Sequence, residues 1–279
     1  MNLPKISIVT PSYNQGDFLE RTIQSVLSQS YPNFEYIILD NKSTDKSIEI
    51  IKKYKEKLTY WISESDRGQS DAINKGFNIA TGELLCWINS DDVLFQNTLR
   101  QVAKAYQKNP DVDIITGNIV YIDEADRIIK CIRVPRQRWF FYHYNVGYFC
   151  APAVFFKKEL FWKVGGLNIN LHYSMDIDLW HKFRLANAKV CHIKAYLGGF
   201  RIHSMSKTAK LRKNRKIFEN PETTIVRRKY IPNVSKITIR FFRYLYNFWQ
   251  IFNLNYAQAW VELRRFKGKT WQEIFGPRL

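Results

Sequence analysis

The sequence predicts an α/β fold built on a mostly parallel central sheet, with an added α-helical stretch at its C-terminal end. Three observations carry that prediction. Short apolar runs alternate with segments of helical length and helical periodicity, the signature of successive βαβ units. One run, Leu84-Leu85-Cys86-Trp87-Ile88, is apolar throughout, as expected of a strand covered on both faces. Successive runs also stop in polar clusters: Thr10-Pro11-Ser12, Asp40-Asn41 and Asn89-Ser90-Asp91-Asp92.

The elements follow in order. Lys5–Thr10 reads as a strand, Pro11–Gly16 as a loop, and Asp17–Ser28 as a helix whose apolar side carries Phe18, Ile23, Val26 and Leu27. Tyr31-Pro32-Asn33 turns the chain into a strand at Glu35–Leu39, and the next helix carries Ile48, Ile51 and Tyr54. Thr59–Ser63 is a strand, and Asp71–Ala80 is a helix ended by Thr81-Gly82. Beyond Asp92 the pattern gives a helix at Asn97–Lys108 and strands at Ile114–Tyr121 and Ile128–Val134, joined through Asp123-Glu124-Ala125-Asp126 as a hairpin. Trp139–Tyr144 is an aromatic cluster that suits a core or a sugar platform. A strand at Ala153–Lys157 leads to a helix at Glu159–Val164, closed by Gly165-Gly166. Then come a helix at Met175–Ala186 and strands at Val190–Ile193 and Leu197–Arg201.

Composition narrows the function. The four cysteines are scattered, with no CxxC pair, and read as reduced core thiols of a cytosolic protein. Ile6-Ser7-Ile8-Val9 is too short for a signal-peptide core, and no uncharged apolar run nears the ~18 residues of a membrane-spanning helix. The net charge of +18 is uneven: residues 1–203 hold 26 Lys+Arg against 21 Asp+Glu, and residues 204–279 hold 17 against 4. The basicity belongs to the tail, which favours an anionic surface as its partner.

In open α/β sheets ligands bind at the carboxyl ends of the strands, so the polar strand ends define the candidate site. The carboxylates of Asp91 and Asp92 are a seat for Mg²⁺ or Mn²⁺, hard cations that take oxygen ligands. The alternative is a solvated loop with Asp92 capping the next helix.

The motifs Ile8–Asn14, Asp40–Asp45, Asp66–Gly76, Asn89–Asp92, Val164–Leu167, Met175–Trp180 and Phe200–His203 occur in order over residues 4–208. Together they resemble an inverting glycosyltransferase of family 2, with the Rossmann-like αβα sandwich of the GT-A fold, as found among bacterial enzymes of polysaccharide and cell-surface glycan synthesis. The resemblance implies that Thr10, Pro11, Ser12 and Tyr13 hold the nucleoside of a nucleotide sugar. Asp40 would accept the N3–H of uracil or thymine; its alternative is capping the helix that follows. Asp91 would bind the divalent cation (Mn²⁺ or Mg²⁺) bridging the diphosphate, Asp92 would support it or hold the ribose, and Ser90 lies between them. Asn89 stands where the family has its first acid. Arg201 and His203 match a late Arg-x-His near the diphosphate, His203 as a second metal ligand or a structural residue. Asp71 and Lys75 belong to a matched motif on the donor side, and Lys207 is placed to contact phosphate. Asp176 aligns with the catalytic base. Two residues apart on a helix point about 200° apart, so Asp178 faces elsewhere, with an i,i+4 pair to Lys182 as its plain role.

The expected organisation is a catalytic domain over residues 1–207 and a basic amphipathic helical extension over 208–279. Within the domain, residues 1–95 would bind the nucleotide sugar and 96–207 the acceptor. From Lys236 to Phe252 the polar residues Lys236, Arg240, Arg243, Asn247 and Gln250 form one stripe, and the remaining surface is apolar. That face suits packing on the catalytic domain, a dimer contact, or an anionic membrane surface. The expected protein is a metal-dependent transferase of a UDP- or dTDP-sugar, acting on a glycan or lipid-linked acceptor at the inner face of the cell membrane. A sugar-1-phosphate nucleotidyltransferase is disfavoured because Thr10–Gly16 lacks Lys and Arg. A non-catalytic nucleotide-sugar binder stays open, and a nucleic-acid partner is not expected because the tail's aromatic residues follow helical spacing.

Overall fold

The computed structural model describes residues 3–134, 139–143, 149–207, 209, 220–231 and 234–277. Its first half is a chain of βα units: β1 (Ile6–Ser12), α1 (Gly16–Leu27), β2 (Phe34–Asp40), α2 (Ser47–Tyr54), β3 (Tyr60–Ser63), α3 (Gln69–Ile79) and β4 (Leu84–Trp87). The four strands are parallel in the order β3-β2-β1-β4. Their apolar residues alternate across the sheet as the pleat requires. Leu84 and Cys86 join Ile6, Ile8 and Ile23 in the cluster under α1, whereas Leu85 and Trp87 join Val9, Leu39 and Phe77 under α3. Both faces of β4 are therefore buried, which explains its unbroken apolar run. Gly76 lets α3 press onto β1, because a Cβ there would lie 2.5 Å from a Val9 methyl.

The second half adds β5 (Val93–Leu94), α4 (Thr98–Lys108), β6 (Ile114–Ile122), β7 (Ile128–Ile132), α5 (Trp139–His143), β8 (Val154–Lys157), α6 (Lys158–Lys163), α7 (Met175–Leu185) and β9 (Val190–Arg201). The sheet continues β4-β8-β6-β9-β5, and β7 pairs with β6 in the expected hairpin. This half mixes directions: β8 runs antiparallel to β4 and β6, and β9 runs parallel to β6. The two strands expected at Val190–Ile193 and Leu197–Arg201 are one continuous strand, whose register slips opposite Asn118. That slip absorbs the break in alternation that suggested two strands.

The C-terminal segment is helical: α8 (Pro221–Tyr230), α9 (Lys236–Phe252), α10 (Asn255–Phe266) and α11 (Trp271–Phe275). Much of it packs on the central sheet. Trp271 is buried beside Phe95 and Ile128, and its Nε1 donates to Asp126 at 3.0 Å. From α10, Glu262 accepts from Arg133 and from the Tyr196 hydroxyl. The basic run Lys207–Lys216 lies outside the described residues except for Lys207 and Ala209, as does Tyr144 of the aromatic cluster. No described helix is long and apolar enough to cross a membrane, and no disulfide joins the four cysteines.

Candidate active site

Parallel pairing brings the three polar strand ends side by side. Asn41 N donates to Ser12 O at 2.9 Å and Ile88 N to Val9 O at 3.0 Å, so the tips of β2, β1 and β4 share one edge. At this edge the Ser12 hydroxyl is buried with no hydrogen-bond partner among the described residues, and Tyr13 projects with 59% of its surface exposed. Pro11 continues β1 and is buried. Thr10 is fully buried and its hydroxyl is engaged with Tyr36 at 3.0 Å, so its side chain supports the edge from within the sheet. The Asp40 carboxylate accepts from Ser43 N at 2.9 Å, Ser43 Oγ at 2.5 Å and Ser63 Oγ at 2.7 Å. These bonds make Asp40 the cap of its turn and leave about one of its four acceptor positions for a ligand. Asp71 and Lys75 sit together in the first turns of α3. Asp71 accepts from Arg67 N at 3.1 Å, and Lys75 pairs with Asp71 and Glu64, each at 3.5 Å. Burial works to raise the Asp71 pKa, but the Arg67 contacts outweigh it and leave the carboxyl below its ordinary value.

The tip of β4 is tied to the end of β9 by a feature that left no mark in the sequence pattern. The two-residue β5 pairs antiparallel with Gly199 and Gly198. A Cβ on Gly198 would meet Val93 O at 2.7 Å, so only glycine admits this approach. The pairing delivers Asp91 and Asp92 to Arg201 and His203, more than a hundred residues later. Asp91 Oδ2 lies 2.9 Å from His203 Nε2, and the His203 ring packs on Phe18. Asp92 is buried, accepting Arg201 N and Asn89 Nδ2, each at 2.9 Å. Burial, reinforced by the Asp91 charge, pushes the Asp92 carboxyl well above its usual range. Ser90 is buried and its carbonyl accepts from the Thr22 hydroxyl at 3.0 Å.

Arg201 was expected near the diphosphate, but its guanidinium is fully enclosed. Nε donates to Asp91 O at 2.8 Å, Nη1 to Asp123 O at 2.8 Å and Nη2 to Asp126 Oδ1 at 2.6 Å. Burial acts to raise the Asp126 pKa, and the Arg201 and Arg21 charges override it, leaving the carboxyl below its ordinary value. Arg201 thus fastens the Asp91 main chain to the hairpin turn. Arg201→Met should lower unfolding stability by about 3–5 kcal/mol, because it strands a buried partner charge; urea denaturation would measure this.

Asp176 begins α7, whose placement relative to β4 is set by Trp180 stacking on Trp87 at 5.5 Å. Burial raises the Asp176 carboxyl to about 6, with the nearby Lys207 charge opposing the rise. Asp178 points the other way: it is buried, pairs with Lys182 at 2.8 Å and accepts from the Tyr230 hydroxyl at 2.8 Å. A hydrogen-bonded chain runs along the cleft from the β4 tip toward the loop before Asp176. The Asn89 amide oxygen accepts from Gln69 Nε2 at 2.7 Å, Gln69 Oε1 accepts from Lys207 Nζ at 2.9 Å, and Lys207 also donates to His172 O at 3.2 Å. Burial lowers the Lys207 pKa, while Glu222, Asp176 and Asp91 act to hold its charge. Lys207 therefore feels the carboxylates of both Asp91 and Asp176.

Sequence reasoning gave Gln69 no role and missed Glu222 altogether. Glu222, in the first turn of α8, accepts from His172 N at 2.8 Å, Tyr173 N at 2.6 Å and Ser174 N at 2.5 Å. One carboxylate thus gathers three main-chain donors of the loop leading into α7, and the neighbouring Thr223 hydroxyl lies 2.7 Å from Ser174 Oγ. No local signal distinguishes Glu222 from any first-turn acid. Glu222→Gln should lower kcat roughly tenfold while leaving nucleotide affinity nearly unchanged, because positioning errors fall on the reacting geometry; steady-state kinetics beside nucleotide titration would separate the two.

A divalent cation fits the β4 tip only in part from protein groups. Among the described residues no three or more His, Cys, Asp or Glu side chains are arranged to hold a metal ion by themselves. Asp91 retains exposure and offers one carboxylate, and His203 offers an imidazole nitrogen if its contact with Asp91 gives way. The Asn89 oxygen is already engaged and Asp92 is enclosed. Two protein donors match a hard cation whose remaining positions are filled by diphosphate and water oxygens.

Residues 7–165 match the family model described as "Glycosyl transferase family 2". The chain is 33% identical over 224 residues to Glycosyltransferase GlyG of Streptococcus pneumoniae, covering 72% of each. It is 29% identical over 191 residues to an uncharacterized glycosyltransferase of Rickettsia prowazekii, covering 64% of this chain and 58% of that relative, so it spans somewhat more than half the relative's length. Among solved structures it resembles the mannosyltransferase PcManGT from Pyrobaculum calidifontis in complex with GDP-Man and Mn²⁺, with a TM-score of 0.64, 18% identity, and 88% and 70% of the two chains covered. S. aureus TarS 1-349 in complex with UDP-GlcNAc superimposes with a TM-score of 0.59 at 14% identity, over 98% and 78%. At those identities the structural likeness speaks for the fold, which is the GT-A fold that the motifs implied.

Proposed function

This chain belongs to glycosyl transferase family 2, and on that premise we propose that it is an inverting transferase of a hexose-type sugar. The donor is a UDP- or dTDP-sugar and the acceptor a hydroxyl of a glycan or lipid-linked molecule in cell-surface polysaccharide assembly, at the inner face of the cell membrane. Residues 1–95 handle the donor, 96–207 the acceptor, and 208–279 form the extension that meets the membrane. The observation that carries the reading is Asp176. It is a half-buried carboxylate raised to about 6, on a helix fixed to β4, and the loop before it is linked at His172 O through Lys207, Gln69 and Asn89 to the tip bearing Asp91.

In this reading the acceptor hydroxyl loses its proton to the Asp176 carboxylate as its oxygen attacks the anomeric carbon from the face opposite the nucleotide. The bond from that carbon to the diphosphate oxygen breaks with the electron pair leaving on the nucleoside diphosphate. A base with a pKa near 6 is ionised at neutral pH yet still basic enough to accept the proton. A cation bound by Asp91 and His203 would supply charge stabilisation to the leaving diphosphate. Lys207, aligned by Gln69 and the His172 carbonyl, contributes positive charge on the same side. Asp40, with an acceptor position left, faces the N3–H of a pyrimidine, and Tyr13 and the unpartnered Ser12 hydroxyl line the nucleoside edge. Asp71 and Lys75 hold the neighbouring wall, and Asn89, Ser90 and Asp92 keep the tip in shape.

A thermal-shift panel of UDP, dTDP and GDP, each with Mn²⁺, Mg²⁺ or a chelator, tests the donor side. Stabilisation by the two pyrimidine nucleotides that disappears with chelator is the expected result. Stabilisation by GDP alone would move the donor to the purine class.

A further inference from the structure

We infer that the outward face of α9, extended by α10, docks flat on an anionic phospholipid leaflet. This names the surface behind the membrane-side acceptor proposed above and rests on that reading. Only part of the apolar surface of α9 packs inward, where Tyr246 and Trp249 lie against Phe141. Its polar residues Asn247 and Gln250 are held inward, Gln250 only 5% exposed and bonded to Asn255, and Asn247 accepting from the Tyr256 hydroxyl at 3.0 Å. The stripe Ile237, Phe241, Tyr244, Phe248, Ile251 and Phe252 instead points to solvent, with Ile237 81% and Phe252 79% exposed. Ile237, Phe241, Tyr244, Phe248 and Ile251, spaced 4, 3, 4 and 3, lie along one side of a 17-residue helix, and Phe252 flanks them. On α10, Trp260 is also exposed and carries the Arg264 guanidinium 3.6 Å above its ring.

Charge selects the occupant. Residues 204–279 hold 17 Lys and Arg against 4 Asp and Glu. The described acids of this segment are turned to internal work: Glu222 binds the loop before α7, Glu262 binds Arg133 and Tyr196, and Glu273 closes the capping box at Thr270. The α9 helix contains no acid, and Arg240 borders its exposed stripe. An apolar and aromatic stripe on a segment with so large an excess of basic residues matches an acyl and headgroup boundary rich in anionic lipid. A second copy of the same face would place like charges against one another, which opposes self-association. The same extension grips the loop before Asp176 through Glu222, so a docked α9 would hold the acceptor side of the cleft close to the leaflet.

Flotation of the full chain with vesicles tests the inference. Binding to phosphatidylcholine vesicles containing phosphatidylglycerol, absent with phosphatidylcholine alone and weakened by high salt, is expected. The double variant Phe241→Ser/Phe248→Ser should lower partitioning at least roughly tenfold, with unchanged circular dichroism. Equal flotation of variant and parent, no flotation of the parent, or a stable dimer abolished by the double variant would each overturn the docking surface. Thermal stabilisation by UDP, read in the same preparations, reports on the transferase reading independently.

Discussion

Asp176→Asn should lower kcat by about 10³-fold while leaving nucleotide affinity within a factor of about two, because a positioned base contributes only where a proton moves. The variant keeps the shape of the side chain and its place at the start of α7, where Asp176 Oδ1 accepts from Ile177 N at 2.8 Å. Its pH behaviour gives a second test. Burial raises the Asp176 carboxyl to about 6, so kcat/KM of the parent should fall as pH drops through that value and the base becomes protonated. The sign for stability is opposite. A carboxyl with a raised folded-state pKa holds its proton more firmly when folded, so its ionisation weakens the fold as pH rises through about 6. Asp176→Asn removes that ionisation, and its melting temperature should equal or exceed that of the parent at pH 8. A variant that loses activity and melts lower would mark Asp176 as structural.

Asp91→Ala is expected to lower kcat/KM for the donor by roughly 10²–10³-fold, the usual consequence of removing one group that stabilises developing charge. The neighbouring acid supplies the contrast. Asp91 keeps part of its side chain exposed, whereas both oxygens of the buried Asp92 are spent on Arg201 N and Asn89. Asp92→Ala should therefore reduce stability as well as activity, and Asp91→Ala activity with little change in melting. Comparable melting of Asp91→Ala and the parent, with cation-dependent nucleotide stabilisation lost only in the variant, is the pattern expected by thermal shift.

The parallel half of the fold was legible because its strands are buried on both faces and its helices on one. Leu84–Ile88 is apolar without interruption, so period and length leave little choice. What escaped the sequence is long-range and local signals do not encode it. A two-residue strand such as β5 has no periodicity, and only Gly198 and Gly199 hint at the close approach that carries Asp92 to Arg201. Arg201 was assigned from a motif to the diphosphate, yet the fold wraps its guanidinium in Asp91, Asp123 and Asp126 acceptors. The alternative for Asp40, capping the helix that follows, is not what its hydrogen bonds display: they hold Ser43 in the turn and Ser63 of β3, and α2 begins only at Ser47. Asp178 was separable from Asp176 by helical geometry alone, and its pairing with Lys182 follows that geometry. For α9 the stripe was legible but its orientation was not, because which side of an amphipathic helix faces the protein is decided by partners elsewhere in the chain.

Diffraction from crystals grown with UDP and Mn²⁺, recorded at the manganese edge, would locate both nucleotide and cation. One anomalous peak is expected between the Asp91 carboxylate and the diphosphate, with His203 beside it and the uracil against the β2 tip. The carboxylate of Asp176 should face the open side of the sugar position. A nucleotide bound away from the β2-β1-β4 edge, or a manganese ion remote from Asp91, would contradict this arrangement.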